Sequence, residues 1–528
     1  MRPTFAGFYV AKRGLDAARA NLSVTGQNIT NVKTAGYTRQ RVDLYSVGAS
    51  GYNMRYATKE DSNIGEGVSI GGIIQVRDPY LDLRYRREHS KVGESGIQLD
   101  ALSDLEYIFD EITKDGLDKQ FSDLKSQLQN LSLNPNDPVS EGIVKTSALM
   151  LVKMFNHCSE QINTVKQEQL ATLQDGSITR VNELLRGIAN LNGEIKNANV
   201  SGNQALELMD QRNTMIDELS GYVNLEITSK TVDIGGGRSV EEMSINLIGA
   251  GGDKFNLVDD NKNRSFGVEI DSNGIEPVKI TLNDFDGSKV TSSNKALISI
   301  PNGDISGQLT TGAFAGHLSI INSKGEFDTP PTKDRGIQYY ENMLNTLANQ
   351  FATAFNKANS MNISEPWDKP MFEAKDGKPI TAGNLAISSK WENAIGSYIT
   401  STKQPPKPGV DKPADNILNM ISLFSSDLTY TTTNGNVPLF KGTFQGCFSN
   451  INSTLALEIK DITRMNDSSG SVLEEIDNQR ASISAVNIDD EGINLIQYNQ
   501  ALSASSRFMT TLDEALDTII KGMGVVGR

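Results

Sequence analysis

The chain has 528 residues, a formal net charge of −15, 38% hydrophobic and 22% charged residues. The deficit of Lys and Arg excludes a nucleic-acid binder, which needs cations to replace phosphate counterions, and the excess charge favours solubility. At a prior of about 150 residues per domain the length suggests three or four domains with several small cores.

Two cysteines, Cys158 and Cys447, cannot build a disulfide scaffold or a four-thiolate zinc site. Two unpaired buried thiols are expected, with a single bridge as the alternative. Three histidines, His89, His157 and His317, leave little material for catalysis or metal binding. No stretch reaches the roughly 18 apolar residues of a membrane span, so no membrane insertion is expected. Arg2, Lys12, Arg13, Asp16 and Arg19 leave no apolar core for a cleaved signal peptide.

From Phe8 onward, residues recur in steps of three and four: Phe8, Ala11, Leu15, Ala18, Leu22, Thr25, Ile29, Val32. The other end repeats the pattern with Leu495, Tyr498, Leu502, Ser505, Met509, Leu512, Leu516, Ile519 and Met523. Such spacing is the a/d seam of a coiled coil, and about four heptads make roughly 40 Å of helix. A seam needs a partner, because an isolated helix gains little from propensity alone. Pairing first helix with last joins the termini; the alternative packs each stripe on its own globular domain. The unpaired seams are expected to order only on assembly. The first helix is expected to end between residues 30 and 36, where Asn28 and Asn31 favour local bonding and Gly36 supplies a left-handed turn. Arg39, Gln40 and Arg41 then read as a solvated tip, with a subunit contact as the minority reading.

Residues 97–220 read as helical, interrupted by the loop at Pro135 and Pro138. Alternating strands follow at residues 225–228, 243–247, 255–258, 278–282 and 297–300, separated by turns at 235–237, 249–253 and 271–274. Helix returns at 339–358. Residues 360–440 are mixed, with a Pro- and Lys-rich loop at 403–413, and residues 442–482 are helical again.

Little here carries chemistry. The run Gly249-Ala-Gly-Gly-Asp-Lys254 lacks the Gly-Lys-Ser/Thr ending of a phosphate loop and reads as a hairpin turn. Asp284, Asp286 and Gly287 lack the closing Glu of a calcium loop. No cofactor and no metal are expected, and an enzyme is the least supported class. The acidic run Asp489-Asp-Glu491 complements the positive end of the last helix, with Asn487 or Asp489 as its cap.

Four segments resemble the hook-associated protein 1 family of bacterial flagella. They are Gly26-Gln-Asn-Ile-Thr-Asn-Val-Lys-Thr-Ala-Gly-Tyr-Thr-Arg-Gln40, Asp78-Pro-Tyr-Leu-Asp-Leu-Arg-Tyr85, Leu208-Met-Asp-Gln-Arg-Asn-Thr-Met-Ile-Asp-Glu-Leu-Ser220 and Val486-Asn-Ile-Asp-Asp-Glu-Gly-Ile-Asn-Leu495. Their order and distances carry the likeness. Ala35 stands where many members have Pro, and Ala485 where many have Gly.

The resemblance implies a structural protein at the junction between hook and filament, exported unfolded by the flagellar type III route and located outside the cell. Its implied partners are copies of itself, the hook protein, the second hook-associated junction protein, and a cytoplasmic export chaperone at the C-terminal region. Alternatives are another flagellar axial protein or a surface adhesin.

The expected fold is α+β and multidomain, with paired terminal helices, a helical rod-like core, inserted β-rich parts and nested topology. The expected partition is 1–50 with 485–528 as the terminal coiled-coil domain; 51–222 with 311–360 and 441–484 as the helical core; 223–310 as an inserted β domain; and 361–440 as a mixed inserted segment. The expected subunit-interface residues are Leu15, Ala18, Leu22, Ile29, Leu495, Tyr498, Leu502, Met509, Leu512, Leu516 and Ile519. The expected signature turn comprises Asn28, Asn31, Gly36, Tyr37, Arg39 and Gln40.

Overall fold

The computed structural model describes residues 6–47, 65–109, 116–235, 238–270, 277–285, 303–360, 368–395, 397–403, 413–432 and 437–523. The expected strand at 297–300, the turn at 271–274, Asp286, Gly287 and most of the loop at 403–413 lie outside these residues.

Helix α1 (Ala6–Thr30) is followed by an antiparallel hairpin, β1 (Gln40–Ser46) and β2 (Val68–Gln75), with a bulge between Asp43 and Leu44. The hairpin was not expected. It lies against α1, with Val42 buried, and a domain boundary after residue 50 would cut it. Next come α2 (Pro79–Phe109), α3 (Leu117–Leu133) and α4 (Pro138–Ala171). The loop between α3 and α4 sits at the expected prolines. Asp137 caps α4 by accepting from Val139 and Ser140 backbone N–H groups, and Pro138 occupies the first turn, where its missing N–H is harmless.

A π-helical segment (Thr172–Ile178) leads from α4 into α5 (Thr179–Val200), followed by α6 (Leu206–Tyr222). A four-stranded antiparallel sheet holds β3 (Leu225–Gly235), β4 (Arg238–Ile248), β5 (Lys254–Asp259) and β6 (Lys262–Asn263) in chain order. The Gly249 N–H donates to the Asp253 carbonyl at 2.7 Å, so the glycine-rich run is a β4–β5 turn. A second hairpin joins β7 (Ser265–Glu269) to β8 (Lys279–Asn283). Then follow α7 (Ala313–Asn322), α8 (Ile337–Asn359), the pair β9 (Phe372–Ala374) and β10 (Leu385–Ile387), α9 (Ser389–Glu392) and α10 (Asp415–Leu423). The pair β11 (Leu428–Thr431) and β12 (Pro438–Gly442) precedes two long helices, α11 (Phe444–Ser484) and α12 (Ile488–Met523).

Two apolar cores lie between the terminal helices. The first joins the C-terminal part of α2 with α3, α4, α8 and the start of α11, centred on Phe121, Phe155, Phe351 and Phe444. Phe372, Trp391, Met420 and Tyr430 belong to the same core, so the segment at 361–440 is part of this body rather than an insertion beside it. The second core joins α5, α6 and α7 with strands β3 to β8. The expected β domain at 223–310 therefore shares its interior with helices, and the expected helical core is divided between two bodies. The physical reason is that a sheet with one apolar face must be covered; Val181, Leu184, Leu185 and Ile188 of α5 supply the cover. Cys158 and Cys447 are both buried and are not joined in a disulfide.

His317 of α7 is fully buried in the second body and meets Ser177 Oγ of the π segment through Nε2 at 3.2 Å. Burial pushes its pKa down from 6.5 to about 4. Between these values the unfolded chain binds the proton and the folded chain does not, so this stability is present above pH 6.5 and is lost as pH falls towards 4. The loss is about 3 kcal/mol at about 1.4 kcal/mol per pH unit. Urea unfolding at pH 7 and pH 4 should show a smaller difference for His317→Gln than for the wild type; equal differences would refute this assignment.

Candidate functional site

Two features make the site: the α1–α12 pair, and the knuckle where that pair joins the rest of the chain. The pair is antiparallel. A Cβ added at Gly7 would lie 3.2 Å from Leu512 Cδ1, and one at Gly14 would lie 3.1 Å from Ser505 Oγ, one heptad apart on each helix. Glycine permits this approach of the two helices. Ala11, Ala18 and Thr25 are buried in the same stripe.

The single chain thus already orders both helices, contrary to the expectation of order only on assembly; small residues let them close on each other. On α1, Ala18 is buried, whereas Leu15, Leu22 and Ile29 are half-buried at the margin of the contact. On α12, Tyr498, Leu502, Met509, Leu512 and Leu516 are half-buried, and Leu495 and Ile519 are exposed at 38% and 51%. α1 also meets the β1–β2 hairpin, and Arg13 donates to the Glu66 carbonyl at 2.8 Å.

The knuckle gathers all four signature segments. Asn28 is fully buried at the end of α1. Its Nδ2 donates to the Gln40 carbonyl at 2.9 Å, while its Oδ1 accepts from the Gln40 N–H at 3.0 Å and from Tyr37 OH at 2.9 Å. One amide side chain therefore closes the turn. Asn31 serves the turn locally, donating to the Gln27 carbonyl and accepting from Thr34 Oγ1. Gly36 has φ +77°, and a Cβ there would stand 2.5 Å from Thr214 Oγ1 of α6, so both conformation and space require glycine. Burial, then the nearby carboxylates of Glu207, Asp210 and Glu491, raise the Tyr37 pKa to about 12.

Arg39 is half-buried rather than a solvated tip. Its Nε donates to Glu491 Oε1 at 2.7 Å, and its N–H donates to the Ser484 carbonyl at 2.8 Å. Arg41 is exposed. Asn487 caps α12, accepting from the Asp489 N–H at 3.0 Å, and the acidic run fills the first turn as expected. Glu491 does more than complement the dipole: its side chain is 2% exposed and held by Arg39. Arg39→Ala should strand that carboxylate and cost about 1.5–3 kcal/mol, as for a lost hydrogen bond to a charged group. Hydrogen exchange in the first turn of α12 should accelerate accordingly, and unchanged exchange would refute the role of the pair.

Three residues of α6 complete the knuckle, and sequence reasoning missed all three roles. Asp210 Oδ2 accepts from the Thr38 N–H at 3.0 Å; its Oδ1 accepts from Thr38 Oγ1 at 2.5 Å and Gln75 Nε2 at 2.9 Å. Burial raises the Asp210 pKa, against the opposing effect of the Thr38 bonds. Arg212 is buried and donates to Asn192 Oδ1 of α5 at 3.0 Å. Asp217 meets Arg86 of α2 and Arg480 of α11, each at 2.6 Å, and Arg480 also meets Asp82 at 3.0 Å and lies over the Tyr85 ring. Burial lowers the Arg480 pKa, but Asp217 and Asp82 outweigh it and raise it. A polar cleft of about 170 Å³ opens between Gly36, Thr214, Asp477 and Ser484. Among the described residues no cluster suited to a metal occurs, and no helix is long and apolar enough to cross a membrane.

Paired terminal helices with folded bodies strung between them define an axial-type subunit, and residues 478–521 match the family described as flagellar basal body rod FlgEFG protein C-terminal. Residues 102–366, half of the chain, match the flagellar hook-associated protein FlgK helical domain, and the chain belongs to the FlgK family of flagellar hook-associated proteins. It is similar to flagellar hook-associated protein 1 of Bacillus subtilis (strain 168), 28% identical over 541 residues with 100% of both chains covered. The Escherichia coli (strain K12) protein of the same name is 22% identical, with 97% of this chain and 98% of the relative covered. The solved structure of the flagellar hook junction protein FlgK from Burkholderia pseudomallei shares the fold, with a TM-score of 0.53 at 13% identity, over 76% of this chain and 100% of that one.

Proposed function

We propose that this chain, a structural component of the bacterial flagellum at the junction between hook and filament, builds that junction through its paired terminal helices. The observation that carries the assembly reading is α12 itself. Besides the seam facing α1, it exposes Ile493, Ile496, Phe508 and Ile520. Ile493 and Ile496 stand off the seam, and large apolar side chains grouped on an exposed helix mark a surface for a partner. Neighbouring copies remove the rest of that surface. Leu15, Leu22 and Ile29, at the open margin of α1, extend the same contact.

Contacts between different patches of successive copies are heterologous, so they build a ring or a helical layer that continues a tube. The hook protein on one side and the second hook-associated junction protein on the other are the partners such a layer meets. The two cores, threaded between first and last helix, stand outward from it. The subunit is exported unfolded through the flagellar type III route, with a cytoplasmic chaperone covering the C-terminal region until export; the apolar sides of α12 are the surface such a chaperone would shield. The role is structural and involves no catalysis.

Deletion of the gene in its own host tests the reading, by electron microscopy and analysis of the medium. Hooks without filaments, with unpolymerised flagellin shed into the medium, are expected. Normal filaments would overturn it.

A further inference from the structure

We propose that Asp210 is a positioning residue for assembly, fixing the angle at which the α1–α12 pair leaves the two cores. The inference rests on the assembly reading above, because that angle aims the surface offered to the next copy. Asp210 lies in the Asp-Gln-Arg stretch of α6, to which the sequence analysis attached no role. Its carboxylate takes the N–H and hydroxyl of Thr38, 172 residues away, and the amide of Gln75, 135 residues away. Thr38 closes the turn after α1 and Gln75 ends β2, which lies against α1. Gln75 Nε2 also reaches the Leu206 carbonyl of α6 at 2.9 Å.

The geometry explains why one carboxylate matters. The terminal unit is tied covalently to the cores at two places, residues 76–78 between β2 and α2, and residues 485–487 between α11 and α12. Two short connectors leave a hinge axis, and a third fixed point removes the rotation. Gln27 with Glu207 and the Ile73 N–H with Gln204 are solvent-exposed contacts between the terminal unit and the α6 side, Gln40 Nε2 reaches Glu207 only at 3.5 Å, and Gly36 packs on Thr214 without a hydrogen bond between them. The Asp210 node is buried. It is anchored on a helix that cannot itself move freely, because Arg212 holds α5 and Asp217 holds both α2 and α11.

The test uses the free full-length chain, so its outcome is separate from that of the assembly reading. Spin labels at Thr146→Cys in α4 and Ser503→Cys in α12 report the distance between core and terminal pair; a control pair at Thr146→Cys and Thr231→Cys spans the two cores. The native cysteines are buried and stay unlabelled. Asp210→Ala should broaden the core-to-terminal distance distribution about twofold, as expected when a fixed orientation becomes a hinge. Thr38→Ser, which keeps both donors, should leave it as in the wild type, and the control distribution should not change in either variant. An unbroadened Asp210→Ala distribution overturns the proposal. So does equal broadening of the control pair, which marks general loosening rather than a lost angle.

Discussion

Leu512→Asp should leave both cores folded and abolish the junction. Leu512 packs on α1, its Cδ1 3.2 Å from the place a Cβ at Gly7 would occupy. Aspartate there removes most of a Leu contact, about 1.5–3 kcal/mol when fully buried, and places a carboxylate in the seam between the two helices. Cells carrying only this variant should show hooks, almost no filaments, and flagellin in the medium. The purified variant should keep the unfolding midpoint of its cores, because Leu512 touches neither. Leu502→Asp, ten residues earlier in the same seam, should behave alike. Filaments of normal number and length on such cells would show that the seam is not the assembly surface.

The seam was legible because its signal is periodic and local. Leu502, Met509, Leu512 and Leu516 stand out by spacing, and all four lie half-buried on the side of α12 that bears Ser505 and Leu512, the residues meeting α1. The complementary column on α1 was only half legible. Leu15, Leu22 and Ile29 have the right spacing, but the closest contacts belong to Gly7 and Gly14, where there is no side chain to see. The β1–β2 hairpin was missed because Gly71 and Gly72 interrupt the alternation of β2. The Asp210–Thr38 contact has no sequence signal at all. A carboxylate on a helix reads as a solvated charge until the fold brings a donor to it. Arg39 illustrates the same limit: a cation near a turn reads as surface, and only the distant, buried Glu491 gives it a partner.

Residues 361–440 carry mixed short elements, as expected, but that these share the first core was not legible, and one substitution shows how they do. Met371, Phe372, Trp391, Met420 and Tyr430 are buried, yet they are scattered without helical or strand period, since each is an anchor from a short element. They share one core with Phe351 of α8, which is fully buried and lies within 5.0 Å of the Phe372 ring, 5.4 Å of Phe444 and 5.7 Å of Phe121, between ring centroids. Phe351→Ala should therefore cost about 3–5 kcal/mol, the range for truncating a buried aromatic. Because α3, α4, α8 and the segment around Phe372 share one interior, hydrogen exchange should rise together in α3, α4 and residues 371–430. The strands β3 to β5, packed in the other core, should keep their protection. Exchange that rose only around Phe372, with α3 and α4 unaffected, would instead make that segment a separate insertion carried on the surface of the first core.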